Sequence, residues 1–229
     1  MTTDPTAAGR WAAWVPLRPV ERSMARRMID AAGIPIAAQW IDVDASRAQS
    51  RVTELREEGC PATFNVMIVH AAAVALAEYP AMGAQLDYEE WRRRLPIAPK
   101  IGVAIASSRG LVVPAVAVDP DDLRGTAQRL HDVVEAVRAG AATKELFAGA
   151  AFTVTNIGGL GIHGGVPTPN PGQPGIIGVS SIRPMAVVRG TEIVPASVVT
   201  LTLTIDHRAV DGITAARFLR RVGDVLEEQ

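Results

Sequence analysis

The stretch Ile205-Asp206-His207-Arg208-Ala209-Val210-Asp211-Gly212 concentrates the residue types that do chemistry. An alternating apolar run ends and a histidine follows at once. An aspartate stands four residues later, and Gly212 permits a sharp turn into the next element. A histidine at a strand end projects into a cleft while its backbone is held rigidly. Its near-neutral pKa suits removal of a proton from a thiol or hydroxyl. The same spacing also fits a histidine and an aspartate making structural hydrogen bonds at a strand-to-helix corner. A metal site is the weakest reading, because no third or fourth ligand stands at a recognisable spacing.

Other candidates carry bland readings beside the chemical ones. Thr155 closes the apolar run Phe152-Thr-Val-Thr155. Its hydroxyl either satisfies backbone at a strand end or is free to donate to a ligand. The Gly- and Pro-rich segment 158–175 is an ordinary long connection or a substrate loop. It lacks the strand–GxGxxG–helix setting of a dinucleotide site and the Lys-Ser/Thr ending of a P-loop. His70 lies in an apolar helical stretch and reads as a satisfied core histidine. His131 reads as solvent-facing. His163, inside the Gly-rich segment, is the one extra histidine placed to touch a substrate. Cys60 follows Glu57-Glu58-Gly59 at a helix end and is given no catalytic role. The run Arg92-Arg93-Arg94 reads as a solvated loop or as an attractor for phosphates.

The elements that must position these residues alternate between helix and strand. Residues 20–32 form a helix with Met24, Met28 and Ile29 on one face, stopped by Gly33-Ile34-Pro35. Residues 40–43 are a short strand. Asp44 or Ser46 caps a polar helix reaching Glu58. Thr63 caps a helix to Glu78 that is apolar on most sides and therefore central. Residues 101–105 and 111–116 are two strands around the turn Ser107-Ser108-Arg109-Gly110. Pro120 and Asp121 open an amphipathic helix that Gly140 closes. Residues 152–155 and 176–179 are strands. Residues 198–205 alternate, with Val199, Leu201, Leu203 and Ile205 on one face and Thr200, Thr202 and Thr204 on the other. A last amphipathic helix spans residues 213–226.

Composition narrows the function further. The chain has 229 residues, 48% of them hydrophobic, and a formal net charge of −1. That length buries a sizeable core, and residues 1–14 read as a flexible lead before a single domain over 15–229. Near-neutral charge argues against a nucleic-acid binder working by phosphate neutralisation. One cysteine excludes an internal disulfide framework and a Cys-based zinc site, and points to a reducing, cytoplasmic setting. No targeting segment is visible, and the most apolar stretch, residues 64–77, is too short to span a bilayer.

Four blocks together carry a resemblance. They are Met24-Ala-Arg-Arg-Met28; Ile101-Gly-Val-Ala-Ile105 with Arg109-Gly-Leu-Val-Val-Pro114; Phe152-Thr-Val-Thr-Asn-Ile-Gly-Gly-Leu-Gly-Ile162 with Pro169-Asn-Pro171 and Gly175-Ile-Ile-Gly-Val179; and Leu201-Thr-Leu-Thr-Ile-Asp-His-Arg-Ala-Val-Asp-Gly212 with Ala215-Ala-Arg-Phe-Leu219. In this order they resemble the 2-oxoacid dehydrogenase acyltransferase catalytic core, a branch of the chloramphenicol acetyltransferase superfamily, over roughly residues 15–227.

The resemblance implies an α/β fold of the α+β type, a two-layer sandwich with a mixed sheet flanked by helices. It implies His207 as general base and Thr155 as the hydroxyl that donates to the oxyanion. It implies Asp211 as a structural aspartate paired with Arg27, or next with Arg26, and Gly212 as the tight turn. Asn156 and Gly158 would shape the loop near the acyl donor. The implied co-substrate is a coenzyme A thioester, most simply acetyl-CoA, with no metal and no covalently bound lipoate. The implied assembly is a homotrimer with active sites between subunits.

The chain shows no lipoyl-lysine hairpin and no Ala/Pro linker, and it ends in charge rather than in an apolar tail. The segment Ile34–Trp40 also departs from the family's usual pattern. These features lead to the expectation of a stand-alone enzyme that acylates a hydroxyl on a small molecule in specialised metabolism, such as a tetronate. Two alternatives stand beside it. One is a core-only dihydrolipoyl acyltransferase working with lipoyl domains on another chain. The other is a non-catalytic trimeric scaffold.

Overall fold

A computed structural model describes residues 14–107 and 110–228. Residues 1–13 of the expected lead lie outside the described residues, as do Ser108 and Arg109 of the expected turn and second block.

In chain order the elements are α1 (Pro19–Ala31), β1 (Ile36–Asp44), α2 (Ser46–Glu57), α3 (Phe64–Glu78), β2 (Gln85–Asp87), β3 (Arg92–Arg94), β4 (Lys100–Val103), β5 (Ile105–Ser107), β6 (Gly110–Val112), β7 (Ala115–Ala117), α4 (Leu123–Arg138), β8 (Ala150–Asn156), β9 (Gly175–Val179), β10 (Arg183–Arg189), β11 (Glu192–Asp206) and α5 (Gly212–Glu228). The main sheet runs β1-β11-β9-β8-β4-β7, with β10 added alongside β11. Its β4–β8 and β8–β9 pairs are parallel and the others antiparallel, so the sheet is mixed.

The long strand β11 organises the sheet. Its C-terminal part pairs with β1 on one side and β9 on the other. Its N-terminal part forms a hairpin with β10. The sequence pattern reveals only residues 198–205 of it. Pro184 and Pro195 disguise the hairpin, because proline is poorly tolerated inside strands. Pro114 and Ala104 likewise break the two expected strands around 107–110 into four short ones, β4 to β7. Residues 40–43 extend to a nine-residue β1, because β11 offers a continuous partner.

Strand alternation divides the sheet into two unlike faces. One carries Val43, Leu201, Leu203, Ile205, Ile177, Phe152, Val154 and Ile101, all buried. Helices α2 to α5 cover it. Thr63 caps α3 by accepting from the Val66 N–H, and Val66 to Ala73 of that helix are all buried, as its all-round apolarity predicts. Phe218 of α5 meets Phe152 edge-on, with ring centroids 5.3 Å apart.

The other face carries Thr153, Thr155, Ile176, Gly178, Thr202 and Thr204, which are cross-strand neighbours. Among the described residues α1, the loop of residues 158–174, and Leu111 to Val113 with Phe147 lie against it. The apolar face of α1 stays largely uncovered: Met24 is 51% exposed, Met28 37% and Ile29 72%. The periodicity locates that helix correctly, but among the described residues nothing closes over its apolar stripe.

Candidate active site

His207 sits where β11 ends. Its backbone N–H donates to the Pro35 carbonyl at 2.9 Å. Asp206, just before it, is completely buried. The Asp206 carboxylate accepts from the Arg208 backbone N–H at 3.0 Å and from the Arg208 guanidinium at 2.9 and 2.7 Å. It also accepts from the Tyr88 hydroxyl at 3.0 Å. The guanidinium carbon lies 4.1 Å from the centroid of the Tyr88 ring.

Burial pushes Asp206 towards protonation, but the Arg208 and Tyr88 hydrogen bonds outweigh it and hold the carboxyl below its usual range. Burial, reinforced by the Asp206 charge, pushes the Tyr88 phenol up to about 12. The residues on both sides of His207 are thereby fixed, while its own ring is exposed and has no hydrogen-bond partner among the described residues. Tyr88, Asp206 and Arg208 carry no role in the sequence reading. An acid and a base flanking a histidine at a strand end are its only local signal, and Tyr88 is far away in sequence.

Asp211 and Gly212 complete this corner. Asp211 caps α5: its carboxylate accepts from the backbone N–H groups of Ile213 and Thr214, each at 2.9 Å, and from the Thr214 hydroxyl at 2.9 Å. Within the chain it makes no ion pair with Arg27 or Arg26, because those arginines belong to α1 and Arg27 lines a cavity beside Thr155. Gly212 is not required by turn geometry either. It has no positive φ, and a Cβ there would meet only the Gln39 Nε2 at 3.5 Å. Its carbonyl accepts from the Gln39 amide at 2.8 Å.

Thr155 lies near the end of β8, half-buried, between two cavities. One, of about 390 Å³, is walled by α1 residues Val20, Met24 and Met28 together with Val113, Phe147 and Ile176. The other, of about 200 Å³, lies under Gly164 to Pro167. No described residue donates to or accepts from the Thr155 hydroxyl, so the bland reading of a threonine satisfying backbone fails.

Asn156 shapes the loop entry from within. Its carbonyl accepts from the Gly158 N–H at 2.7 Å, and its amide donates to Asn65 at the start of α3. Gly158 must be glycine, because a Cβ there would stand 2.3 Å from the Ser180 carbonyl oxygen. The loop is pinned again where Asn170 donates to the Thr153 hydroxyl at 3.0 Å, and that hydroxyl donates to Gln173 at 2.7 Å.

The remaining candidates are readily placed. His163 is exposed and its Nδ1 meets an Arg183 guanidinium nitrogen at 3.1 Å. His131 is exposed, as expected. His70 is buried, but its Nδ1 has no partner, so it is a core histidine without the satisfaction expected of one. Cys60 is a free, half-buried thiol. The Arg92–Arg94 run is a strand of a β-hairpin rather than a loop. Among the described residues no cluster of His, Cys, Asp and Glu is arranged to hold a metal, and no helix is long and apolar enough to cross a membrane.

The two groups of site residues stand apart. Thr155 is level with Gly178, and Gly178 with Thr202, so His207 lies about five residues further along β11. At ~3.3 Å per residue and ~4.8 Å per strand, roughly 20 Å separates the two side chains. Proton transfer needs hydrogen-bond reach, about 3 Å. One copy of the chain therefore presents an exposed imidazole at one end of the sheet and a threonine hydroxyl without a partner among the described residues at the other.

Comparisons with known proteins identify the family and the fold. The sequence pattern of the family described as 2-oxoacid dehydrogenases acyltransferase (catalytic domain) matches residues 12–229. The dihydrolipoyllysine-residue acetyltransferase component of the Bacillus subtilis acetoin cleaving system is 33% identical over 185 residues, covering 79% of this chain and 46% of that protein. The chain spans between a third and a half of the length of the curated relatives it matches. Among solved structures, the dihydrolipoamide acetyltransferase of Azotobacter vinelandii, in whose catalytic mechanism a serine, a histidine and an asparagine have been investigated, superposes with a TM-score of 0.91 at 25% identity, covering 100% of this chain and 96% of that one. Chloramphenicol acetyltransferase shares the fold, with a TM-score of 0.58 at 15% identity over 88% of this chain and 94% of that one.

Proposed function

The chain belongs to the 2-oxoacid dehydrogenase acyltransferase family, and we propose that it moves an acetyl group between the thiol of coenzyme A and the thiol of a dihydrolipoyl group. The observation that carries this reading is a match of spacing. The serine and histidine investigated in the Azotobacter vinelandii enzyme are separated by the same number of residues as Thr155 and His207, and its asparagine stands at the offset of Asp211. The hydroxyl and imidazole so matched have no hydrogen-bond partner among the described residues.

The chemistry follows from what those groups can do. The His207 imidazole removes the proton from the attacking thiol. The resulting sulfur attacks the thioester carbonyl, forming the new C–S bond and placing negative charge on the carbonyl oxygen. The Thr155 hydroxyl donates to that oxygen, a role in which one fixed donor is worth on the order of 10²–10³ in rate. The intermediate collapses, the original C–S bond breaks, and the departing thiolate takes the proton back from His207. Threonine serves as serine does, because only the hydroxyl is used.

Because the base and the donor stand at opposite ends of one chain, the reaction centre forms where the His207 corner of one copy meets the Thr155 end of another. A homotrimer closes three such contacts by rotation. The uncovered stripe of α1 supports this arrangement, since it walls the Thr155 cavity and exposes Met24 and Met28. An Arg27–Asp211 pair, absent within the chain, belongs to the same contact between copies.

The dihydrolipoyl acceptor is favoured over the small-molecule hydroxyl expected from the chain's length, because the relatives are named for lipoyl-bearing acceptors. Mass spectrometry after incubation with acetyl-CoA decides between them. Dihydrolipoamide and a free lipoyl domain should become S-acetylated, and a His207→Ala control should not support this. Acetylation of hydroxyl acceptors with neither thiol product would overturn the proposal.

A further inference from the structure

Gly164 to Pro167 wall the smaller cavity beside Thr155. Gly164, Gly165 and Val166 make no hydrogen bond among the described residues, and two of the three are glycines, which have the widest backbone freedom. Their position is therefore set at the two ends of the stretch. At the far end Pro167 rests on β9, where a Cβ added at Gly178 would meet its ring carbons at 3.3 Å. At the near end the loop is held by the segment that leads from β9 into β10. The Ser181 N–H and the Ser181 hydroxyl both donate to the Ile162 carbonyl, at 2.8 and 3.0 Å. The Arg183 guanidinium meets the next residue, His163, at 3.1 Å from Nδ1.

A guanidinium only donates, so the His163 Nδ1 accepts and the ring carries its proton on Nε2. Arg183 is half-buried, and its Nε is shielded from water without a partner. A desolvated donor left unpaired costs stability. The fold bears that cost at Arg183, and among the described residues the one hydrogen-bond partner its side chain gains is the loop histidine.

We propose that Arg183 and His163 form a latch that fixes the wall at Gly164 to Pro167 beside the Thr155 hydroxyl, which makes Arg183 a positioning residue for the acyl transfer. This rests on the acyltransferase reading above and adds to it a device that guards the reaction against water. A closed site keeps water away from a reactive thioester. A wall released at His163 admits water next to Thr155, and water then competes with the acceptor thiol. Its oxygen attacks the thioester carbonyl, the C–S bond breaks, and the water proton passes to the departing thiolate, leaving a carboxylic acid and a free thiol.

The test uses three variants of the full chain. Arg183→Met keeps an aliphatic stem, deletes the unpaired Nε and opens the latch, so its melting temperature should stay near wild type. His163→Ala opens the latch from the loop side. His163→Asn keeps an acceptor near the place of Nδ1. With acetyl-CoA and dihydrolipoamide, Arg183→Met and His163→Ala should lower kcat on the order of tenfold with KM nearly kept, because a small misplacement of a reacting group costs rate. Both should also release more coenzyme A than S-acetyl product, the excess being hydrolysis, and His163→Asn should restore the rate and the one-to-one ratio. Hydrogen exchange supplies a readout without turnover: the Ser181 amide, bonded to Ile162, should exchange about tenfold faster in Arg183→Met than in wild type. Unchanged exchange would overturn the latch. Faster exchange with an unchanged kcat and product ratio, or a His163→Asn chain as impaired as His163→Ala, would overturn the positioning role. Wild-type chain that acetylates no thiol while its exchange responds to Arg183→Met would overturn the acyltransferase reading and leave the latch standing.

Discussion

Thr155 and His207 occupy opposite ends of one sheet, roughly 20 Å apart along a register that runs Thr155–Gly178–Thr202 and then up β11. Neither side chain has a hydrogen-bond partner among the described residues of its own chain. The sheet is rigid at this point, because Gly178 and Thr202 lie in paired strands with buried neighbours on both sides. The proposed reaction centre therefore requires the His207 corner of one copy and the Thr155 end of another.

Complementation between copies follows directly. His207→Ala and Thr155→Ala chains should each be inactive alone. Mixed, unfolded together and refolded, they should recover about a quarter of wild-type activity, because a random assembly pairs an intact base with an intact donor at about one contact in four. Steady-state rates of the mixture against each parent check this. Mixtures as dead as the parents would place the site within one chain.

The Thr155 hydroxyl separates catalysis from folding. Thr155→Ala should lower kcat on the order of 10²–10³. Its melting temperature should stay close to wild type, since no described group loses a hydrogen bond. Thr155→Ser should keep most activity. A Thr155→Ala chain that melts much lower would return this residue to a structural role.

The sequence alone made the strand-to-helix corner legible where it is local. Asp206 to Gly212 are contiguous, and the alternation of Val199 to Ile205 fixes which way β11 faces. Thr155 needed the family's pattern, because a threonine ending an apolar strand has no distinguishing chemistry of its own. What stayed hidden depended on contacts distant in sequence. Tyr88 reaches Asp206 across 118 positions. The β10–β11 hairpin was masked by Pro184 and Pro195. Within the chain Asp211 caps the free N–H groups at the start of α5, a local use that the sequence reading did not assign to it. The length of the chain, which suggested a diffusing hydroxyl acceptor, reports no chemistry, and the lipoyl-linked relatives outweigh it.

Gly158 tests how the loop is held. An alanine Cβ would stand 2.3 Å from the Ser180 carbonyl oxygen and 2.8 Å from its carbon. Both are backbone atoms, so the strain cannot be relieved by rotating a side chain. Gly158→Ala should cost about 1–3 kcal/mol in urea unfolding. Gly159→Ala, with nothing within 4 Å of the new Cβ, should fall within about 0.5 kcal/mol of wild type. Equal stability of the two variants would refute the close approach.

The corner around His207 should also limit the pH range of the fold. Asp206 is held below its ordinary pKa by Arg208 and Tyr88 against the effect of burial. A carboxyl whose pKa falls on folding stabilises the native state above its unfolded value, near 4, and that contribution is lost as pH drops through the folded value. Tyr88 shifts the other way, to about 12. A phenol whose pKa rises on folding favours the native state fully below its unfolded value, near 10, and loses that contribution as pH climbs to about 12. Wild-type stability should therefore fall at both edges of this window. Tyr88→Phe keeps the ring under Arg208 and removes the titrating hydroxyl, so its loss of stability between about pH 10 and 12 should be smaller than wild type's. Asp206→Asn should flatten the acid edge. Urea unfolding across pH checks both, and an alkaline edge identical in Tyr88→Phe and wild type would mean that the Tyr88–Asp206 bond contributes nothing to the fold.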